Sequence, residues 1–195
     1  LLQMFMMGLR CCASELVVTP EMFGAVGDGK ANDHMAIERA LVACSAAVYN
    51  STAPGHSCRV RFSKSYLSGP LVLNSSRTTL DVQAGARLVM LPKPDYEKAC
   101  PQTRCPFIST AEGAEGCRTI HPNPHAPADG YPVCLSDVTL TGGGVIDGNA
   151  NWDPSSWWLC ARLQLDNCWR PILTYFVNVS GLTVNDSLTF KDAPT

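Results

Sequence analysis

Short apolar runs recur along most of this chain, each cut off by Gly, Pro, Ser or Asn. From Arg59 onward they are Val60-Arg61-Phe62, Tyr66-Leu67, Leu71-Val72-Leu73, Thr79-Leu80-Asp81-Val82 and Leu88-Val89-Met90-Leu91. Runs of this length with β-type residues between turn residues predict strands. One earlier stretch has a different period. Ile37, Leu41, Cys44 and Val48 recur at helical spacing, which predicts a helix over Met35 to Tyr49 with one apolar face. Asn32 or Asp33 stands where a helix cap is expected. Before it, Val17 to Phe23 predicts a first strand and Gly24 to Gly29 a glycine-rich turn. No Gly-Lys-Ser/Thr follows those glycines and their spacing is not the dinucleotide pattern. Asp28 and Asp33 therefore read as turn and cap residues rather than as catalytic acids.

The stretch Leu135 to Trp158 organises the second half. Val138-Thr139-Leu140-Thr141 and Val145-Ile146-Asp147 are two short β-runs, separated by Gly142-Gly143-Gly144 and closed by Gly148. Strands this short are not stable by themselves. Glycines at their ends mark tight bends where backbone approaches backbone. The pattern fits one rung of a solenoid and fits equally a hairpin in a sandwich. Ile172 to Val177 and Leu182 to Val184 predict a further rung. Between the two β-rich parts, residues 92–134 hold prolines and cysteines with little periodicity. They predict a long loop, since ordinary connections seldom exceed ~12–15 residues.

Composition narrows the class. The 195 residues suggest one domain, and the net charge is -2. No basic run exceeds two residues, which argues against nucleic acid as a partner. No apolar stretch reaches the ~18 residues of a membrane span. The 10 cysteines include no Cys-x2-Cys pair and none at zinc-finger spacing from His, so no metal and no cofactor is expected. An even, dense set of cysteines favours disulfides and an oxidising compartment, with Cys160 and Cys168 the expected pair across one loop. Asn50, Asn74, Asn178 and Asn185 each begin an Asn-x-Ser/Thr glycosylation sequon. Leu1 to Leu9 is apolar and leads to small residues near Ala13. This resembles the end of a secretory leader, so residues 1–13 are expected to be a partial signal peptide and 14–195 the folded part. His121 and His125 lie among prolines that make a metal-binding helix unfavourable there. The tryptophans at 152, 157, 158 and 169 could stack on sugar rings or fill the space between rungs.

Three motifs in order extend the reading. Phe23-Gly24-Ala25-Val26-Gly27-Asp28-Gly29-Lys30 with Asn32-Asp33 is one. Tyr66-Leu67-Ser68-Gly69-Pro70-Leu71-Val72-Leu73 is the second. Asp137 to Gly148, then Trp157-Trp158 and Arg170-Pro171, is the third. Together they resemble the polygalacturonases of glycoside hydrolase family 28. The resemblance implies an all-β, right-handed parallel β-helix of the pectin lyase-like kind, with the helix at Met35 to Tyr49 capping its N-terminal end. It implies a secreted, cell-wall enzyme that hydrolyses pectin by acid/base inversion. Pectin or a related polysaccharide would be the partner. Trp157, Trp158 and Asn185 become candidates for positions near substrate.

The family's catalytic segments, "NTDG", an Asp-Asp pair, "GHG" and "RIK", do not occur here. His56 lies too early and in the wrong context, and Asp186 sits one rung before the catalytic segment. The expectation is therefore the N-terminal half of such a domain, truncated on the C-terminal side. Its catalytic residues would lie beyond Thr195 and the isolated chain would be inactive. Its uncapped last rung would be prone to self-association. The other reading is a non-catalytic β-helix that binds cell-wall polysaccharide.

Overall fold

A computed structural model describes residues 14–51, 55–100, 105–110, 118–120, 131–133, 135–153, 155–164, 168–185 and 187–194, with 118–120 and 131–133 described as backbone only. Residues 1–13, where a leader is expected, and His121, His125, Cys117, Cys134, Asp186 and Thr195 lie outside those residues.

The elements in chain order begin with β1 (Glu15–Val18), a 3-10 turn (Pro20–Phe23), β2 (Asp28–Asn32) and α1 (His34–Asn50). Next come β3 (Ser57–Phe62), β4 (Ser65–Ser68), β5 (Leu71–Leu73), β6 (Thr78–Val82), β7 (Arg87–Met90), α2 (Lys93–Ala99) and β8 (Ile108–Thr110). The rest are β9 (Arg118–Ile120), β10 (Tyr131–Val133), β11 (Leu135–Thr141), β12 (Val145–Asp147), α3 (Trp157–Arg162), β13 (Thr174–Tyr175), β14 (Val179–Val184) and β15 (Thr189–Lys191).

Among the described residues these strands form three parallel sheets. The first runs β1-β3-β6-β11-β14, the second β2-β4-β7-β12-β15 and the third β5-β8-β13. Only β9 and β10 pair antiparallel there. The chain therefore visits the sheets in one recurring order: β3 to β4 to β5, β6 to β7 to β8, then β11 to β12 to β13. A hairpin in a sandwich would place β11 and β12 side by side and antiparallel. They lie in different sheets instead, so the sandwich alternative is excluded.

Register explains why such short strands hold. Val18, Val60, Leu80, Leu140 and Val184 are successive partners across the first sheet. Tyr66, Leu88, Ile146 and Phe190 do the same in the second. Like residues thus stack in columns with the strand spacing of ~4.8 Å, and alternation sends them all to one side. A single apolar core runs from Val18 to Leu188. Each column ends on an exposed member: Val184 is 46% exposed, and Leu182 and Phe190 are each 41% exposed.

The predicted helix is present one residue longer at each end. Ile37, Leu41, Cys44 and Val48 are buried, as their spacing requires, and α1 packs on the 3-10 turn, β1 and β3. Cys44 is bonded to Cys58 of β3. Replacing both cysteines by Ala should lower stability by about 2–3 kcal/mol, because the bond closes a loop of about 15 residues. Denaturant unfolding of oxidised protein checks this; an unchanged midpoint would mean that α1 does not need the bond.

Three expectations need correction. The first strand ends at Val18, and Pro20–Phe23 is a 3-10 turn with Pro20 in its first position. Asp33 does not cap α1 with its side chain; its buried carboxylate accepts the backbone N–H groups of Val26 and Gly27, at 2.7 and 3.1 Å. Asn32 Oδ1 accepts the His34 N–H instead. Asp28 is the expected turn residue: its Oδ1 accepts the N–H of Ala31 and of Lys30, each at 2.8 Å, and these bonds hold its pKa below the usual range.

The third correction concerns 92–134, which is not one featureless loop. It opens on α2, where Pro94 sits in the first turn, a position that tolerates proline because no helical N–H is lost there. The chain then closes the Cys100–Cys105 bond and enters β8, a full member of the third sheet. Tyr96 of α2 is fully buried and its hydroxyl donates to the Cys105 carbonyl at 3.1 Å.

Candidate functional site

The glycine bends come first because they set where the tryptophan segment leaves the sheets. Gly142 has φ +104°, and an added Cβ would lie 1.9 Å from the Val82 carbonyl oxygen of the neighbouring strand β6. Gly148 packs on the backbone of Asp192 and Ala193 in the same way. Beside it, buried Asp147 pairs with Arg87 and its Oδ1 accepts the Asn149 N–H at 2.8 Å. Asn149, in a left-handed conformation, donates its side-chain amide to the Met90 carbonyl. The acid of the Val145-Ile146-Asp147-Gly148 motif is thus part of a turn.

Past this turn lies the tryptophan cluster. Trp157 is 0% exposed. Its ring meets Tyr96 edge-on at 6.0 Å and Trp169 at 5.6 Å, and Lys93 Nζ sits 5.6 Å from its centroid. Trp157 was a candidate for contact with substrate, but every face of the indole is taken by the protein. It packs between α2 and the segment before β13. Trp158 is half-buried and donates Nε1–H to the Ala193 carbonyl at 2.9 Å. Trp152 is 57% exposed, tilts against Trp158 at 5.6 Å, and carries the Arg162 guanidinium 5.7 Å from its centroid. Cys160 and Cys168 form the expected bond and close the loop behind α3.

Asn185 follows β14 at the end of the first sheet. Its Oδ1 accepts the Ser187 N–H at 2.9 Å and its Nδ2 donates to Thr141 Oγ1 at 3.2 Å. These bonds hold it in a turn, and it shares no hydrogen-bond partner with Trp158.

The carboxylates decide what chemistry the described residues can do. Three acids are buried among them: Asp33, Asp81 and Asp147. Asp33 is held by backbone N–H groups, Asp147 by Arg87, and Asp81 by Arg59 and Arg61 at 3.4 and 3.5 Å. Glu15 binds Arg59 as well, at 3.0 Å. Each of the three is thus committed to partners within the fold. None of the three is placed as the acid of an acid/base pair. A groove of about 230 Å³ lined by Glu38, Leu41, Val42, Val72 and Asn74 holds one acid and no cation, the wrong sign for a polyuronate. Among the described residues no three His, Cys, Asp or Glu side chains converge to hold a metal.

Sequence reading missed one arrangement. His34 Nδ1 lies 3.3 Å from Ser68 Oγ, and its Nε2 lies 3.5 Å from Glu38. Serine, histidine and acid in series suggest a nucleophile, yet Ser68 is 0% exposed and no substrate atom can reach it. The trio ties α1 to β4. Burial lowers the His34 pKa, and Glu38 opposes that only in part. The unfolded chain, near the usual ~6.5, therefore takes up this proton first as pH falls. The His34 contribution is complete above that value and is lost as pH drops toward the folded pKa. His34→Gln should flatten the stability–pH curve just below pH ~6.5; equal slopes for both proteins in thermal melts would contradict this placement.

Neither a family model nor a curated protein matches the sequence. Solved structures match its fold. A candidate glycosyl hydrolase from Parabacteroides merdae aligns at TM-score 0.63 and 19% identity, over 92% of this chain and 66% of that one. The family 28 exopolygalacturonase of Yersinia enterocolitica aligns at 0.61 and 22%, over 93% and 36%. The hyperthermoactive exopolygalacturonase of Thermotoga maritima aligns at 0.62 and 18%, over 92% and 42%. The chain thus has a polygalacturonase-like fold, and it spans 36% to 66% of the lengths of these structures.

Proposed function

We propose that this chain is the N-terminal part of a secreted polygalacturonase-like glycosidase that hydrolyses α-1,4-galacturonan in pectin with inversion. One observation carries the reading: the three sequence motifs fall on the glycine bends and strand stacks of a fold shared with exopolygalacturonases. In this reading the sheets wind as a right-handed parallel β-helix and α1 caps its first turn. Leu182, Val184 and Phe190 seat a further turn of the coil. The two carboxylates of an inverting pair, ~6.5–9.5 Å apart, come from sequence outside these 195 residues. Alone, the chain is inactive and self-associates through that apolar end.

Among the described residues three disulfides fit an extracellular location, and no helix is long and apolar enough to cross a membrane. Asn50 and Asn74 are exposed and are the favoured glycan sites; Asn178 is half-buried and the Asn185 amide is engaged in its turn. The engaged state of the three acids buried among the described residues supports the second reading, a non-catalytic β-helix that binds cell-wall polysaccharide.

The test is reducing-end release from polygalacturonate, rhamnogalacturonan and neutral galactan, by this chain and by a C-terminally extended protein. The proposal expects turnover of polygalacturonate by the longer protein alone. Equal turnover by the short chain would place the catalytic acids within it. No release by either would favour the binding reading.

A further inference from the structure

The exposed tryptophan cluster combines two recognition elements that the mechanism above leaves unused. Trp152 presents an indole to solvent at 57% exposure, at the end of the turn that leaves β12. It does not swing freely. Trp158 backs it at 5.6 Å, and Trp158 is itself pinned by its bond to Ala193. Arg162, on the last turn of α3, lies 5.7 Å from the Trp152 centroid and is exposed. No carboxylate pairs with Arg162 among the described residues, whereas Arg59, Arg61 and Arg87 all have acid partners. The nearest acid in sequence to the platform, Asp153, accepts the N–H of Ser155 in its own turn. Cys160–Cys168 fixes the helix that carries Arg162.

An exposed indole with a cation over its ring that has no acid partner among the described residues has a definite complement. The ligand should offer a flat apolar face and a carboxylate beside it. A hexuronate ring has both: axial C–H groups to lie on the indole, and a C5 carboxylate to reach the guanidinium. A neutral hexose would use the indole and leave the cation unanswered. A nucleic acid would need a wider basic surface than one arginine provides.

We propose that Trp152 and Arg162 form a binding site for one uronate residue of an acidic polysaccharide, backed by Trp158. The site rests on the galacturonan reading for its substrate class, but it requires no cleavage.

The test titrates purified protein with trigalacturonate and with its methyl ester, followed by tryptophan fluorescence and calorimetry. The acid should bind about threefold more tightly than the ester, as an exposed ion pair allows. Arg162→Gln should erase that preference and leave ester binding intact. Trp152→Ala should weaken both ligands by about five- to tenfold, the size of lost aromatic and cation–π contact. Arg170→Gln, an exposed arginine outside the cluster, should titrate like the wild type. Both substituted residues of the site are exposed, and unchanged melting curves confirm intact folding. A wild type without preference for the acid, or a Trp152→Ala protein that binds as the wild type does, overturns the site. Lack of hydrolysis by the C-terminally extended protein, with these shifts intact, would count against the catalytic reading and leave the site standing.

Discussion

Trp157→Ala should destabilise the protein by about 3–5 kcal/mol, the range for emptying a buried large aromatic. The indole is fully buried and joins three elements: α2 through Tyr96, α3 through its own backbone, and the segment before β13 through Trp169. Its Nε1–H has no acceptor among the described residues. That donor already costs the fold something, roughly 1–3 kcal/mol for a buried unpaired group. Trp157→Phe should therefore cost much less than Trp157→Ala, since it removes an unsatisfied N–H along with part of the ring. Trp152→Ala, on exposed surface, should stay within about 0.5 kcal/mol. Urea titrations of the three variants give the order directly. A Trp157→Ala protein as stable as Trp152→Ala would put the indole at the surface, where it could meet sugar after all.

The second large effect belongs to Gly142. A methyl group there meets the Val82 carbonyl oxygen at 1.9 Å and the Val82 carbonyl carbon at 2.5 Å, both backbone. Neither can turn away as a side chain would, so the rungs must part. Overpacking of this kind costs ~1–3 kcal/mol, and the left-handed φ adds ~1–2 kcal/mol for any L side chain. Gly142→Ala should thus lose about 3–4 kcal/mol. Gly143→Ala is the matched control. Its added Cβ meets Ala84 Cβ at 3.3 Å, a side-chain contact that can relax, so the loss should be under about 1 kcal/mol. Equal melting temperatures for the two variants would mean that the bend does not bring β11 against the rung of β6.

The contrast also marks what the amino-acid sequence reveals. The glycine run announces a bend, but not which of its members touches the next rung. That depends on register, and register comes from columns such as Val60, Leu80 and Leu140, whose members lie far apart in the chain. The helix over 34–50 was legible because four apolar residues share one face. Helices α2 and α3 were not, for opposite reasons. Pro94 reads as a breaker unless its place in the first turn is known, and Trp157-Trp158 reads as a patch of aromatics rather than as two sides of a helix. Strands β8 and β13, of three and two residues, are too short to carry a period. They become strands because β5 offers an edge to β8, and β8 in turn offers one to β13.

Legibility at the candidate site followed the same line. The Cys160–Cys168 bond closes a short loop and needed no tertiary information. The burial of Trp157 and the exposure of Trp152 did, since composition treats the two alike. Asp33 is the sharpest case: its place before a helix suggests a cap, yet the turn at Val26 and Gly27 competes for the same carboxylate and wins by two N–H bonds. The family-like motifs are mainly the residues of bends and caps, so they report the frame of the fold more than its chemistry.

The reaction itself is open to one direct observation. Proton NMR of polygalacturonate during the first minutes of digestion by the C-terminally extended protein identifies the anomer formed at each new reducing end. An inverting hydrolase releases β-anomers first from the α-linked polymer, before mutarotation mixes them, and that is the expected result. New ends that appear first as α-anomers, or that carry a double bond from elimination, would contradict inverting hydrolysis on this fold.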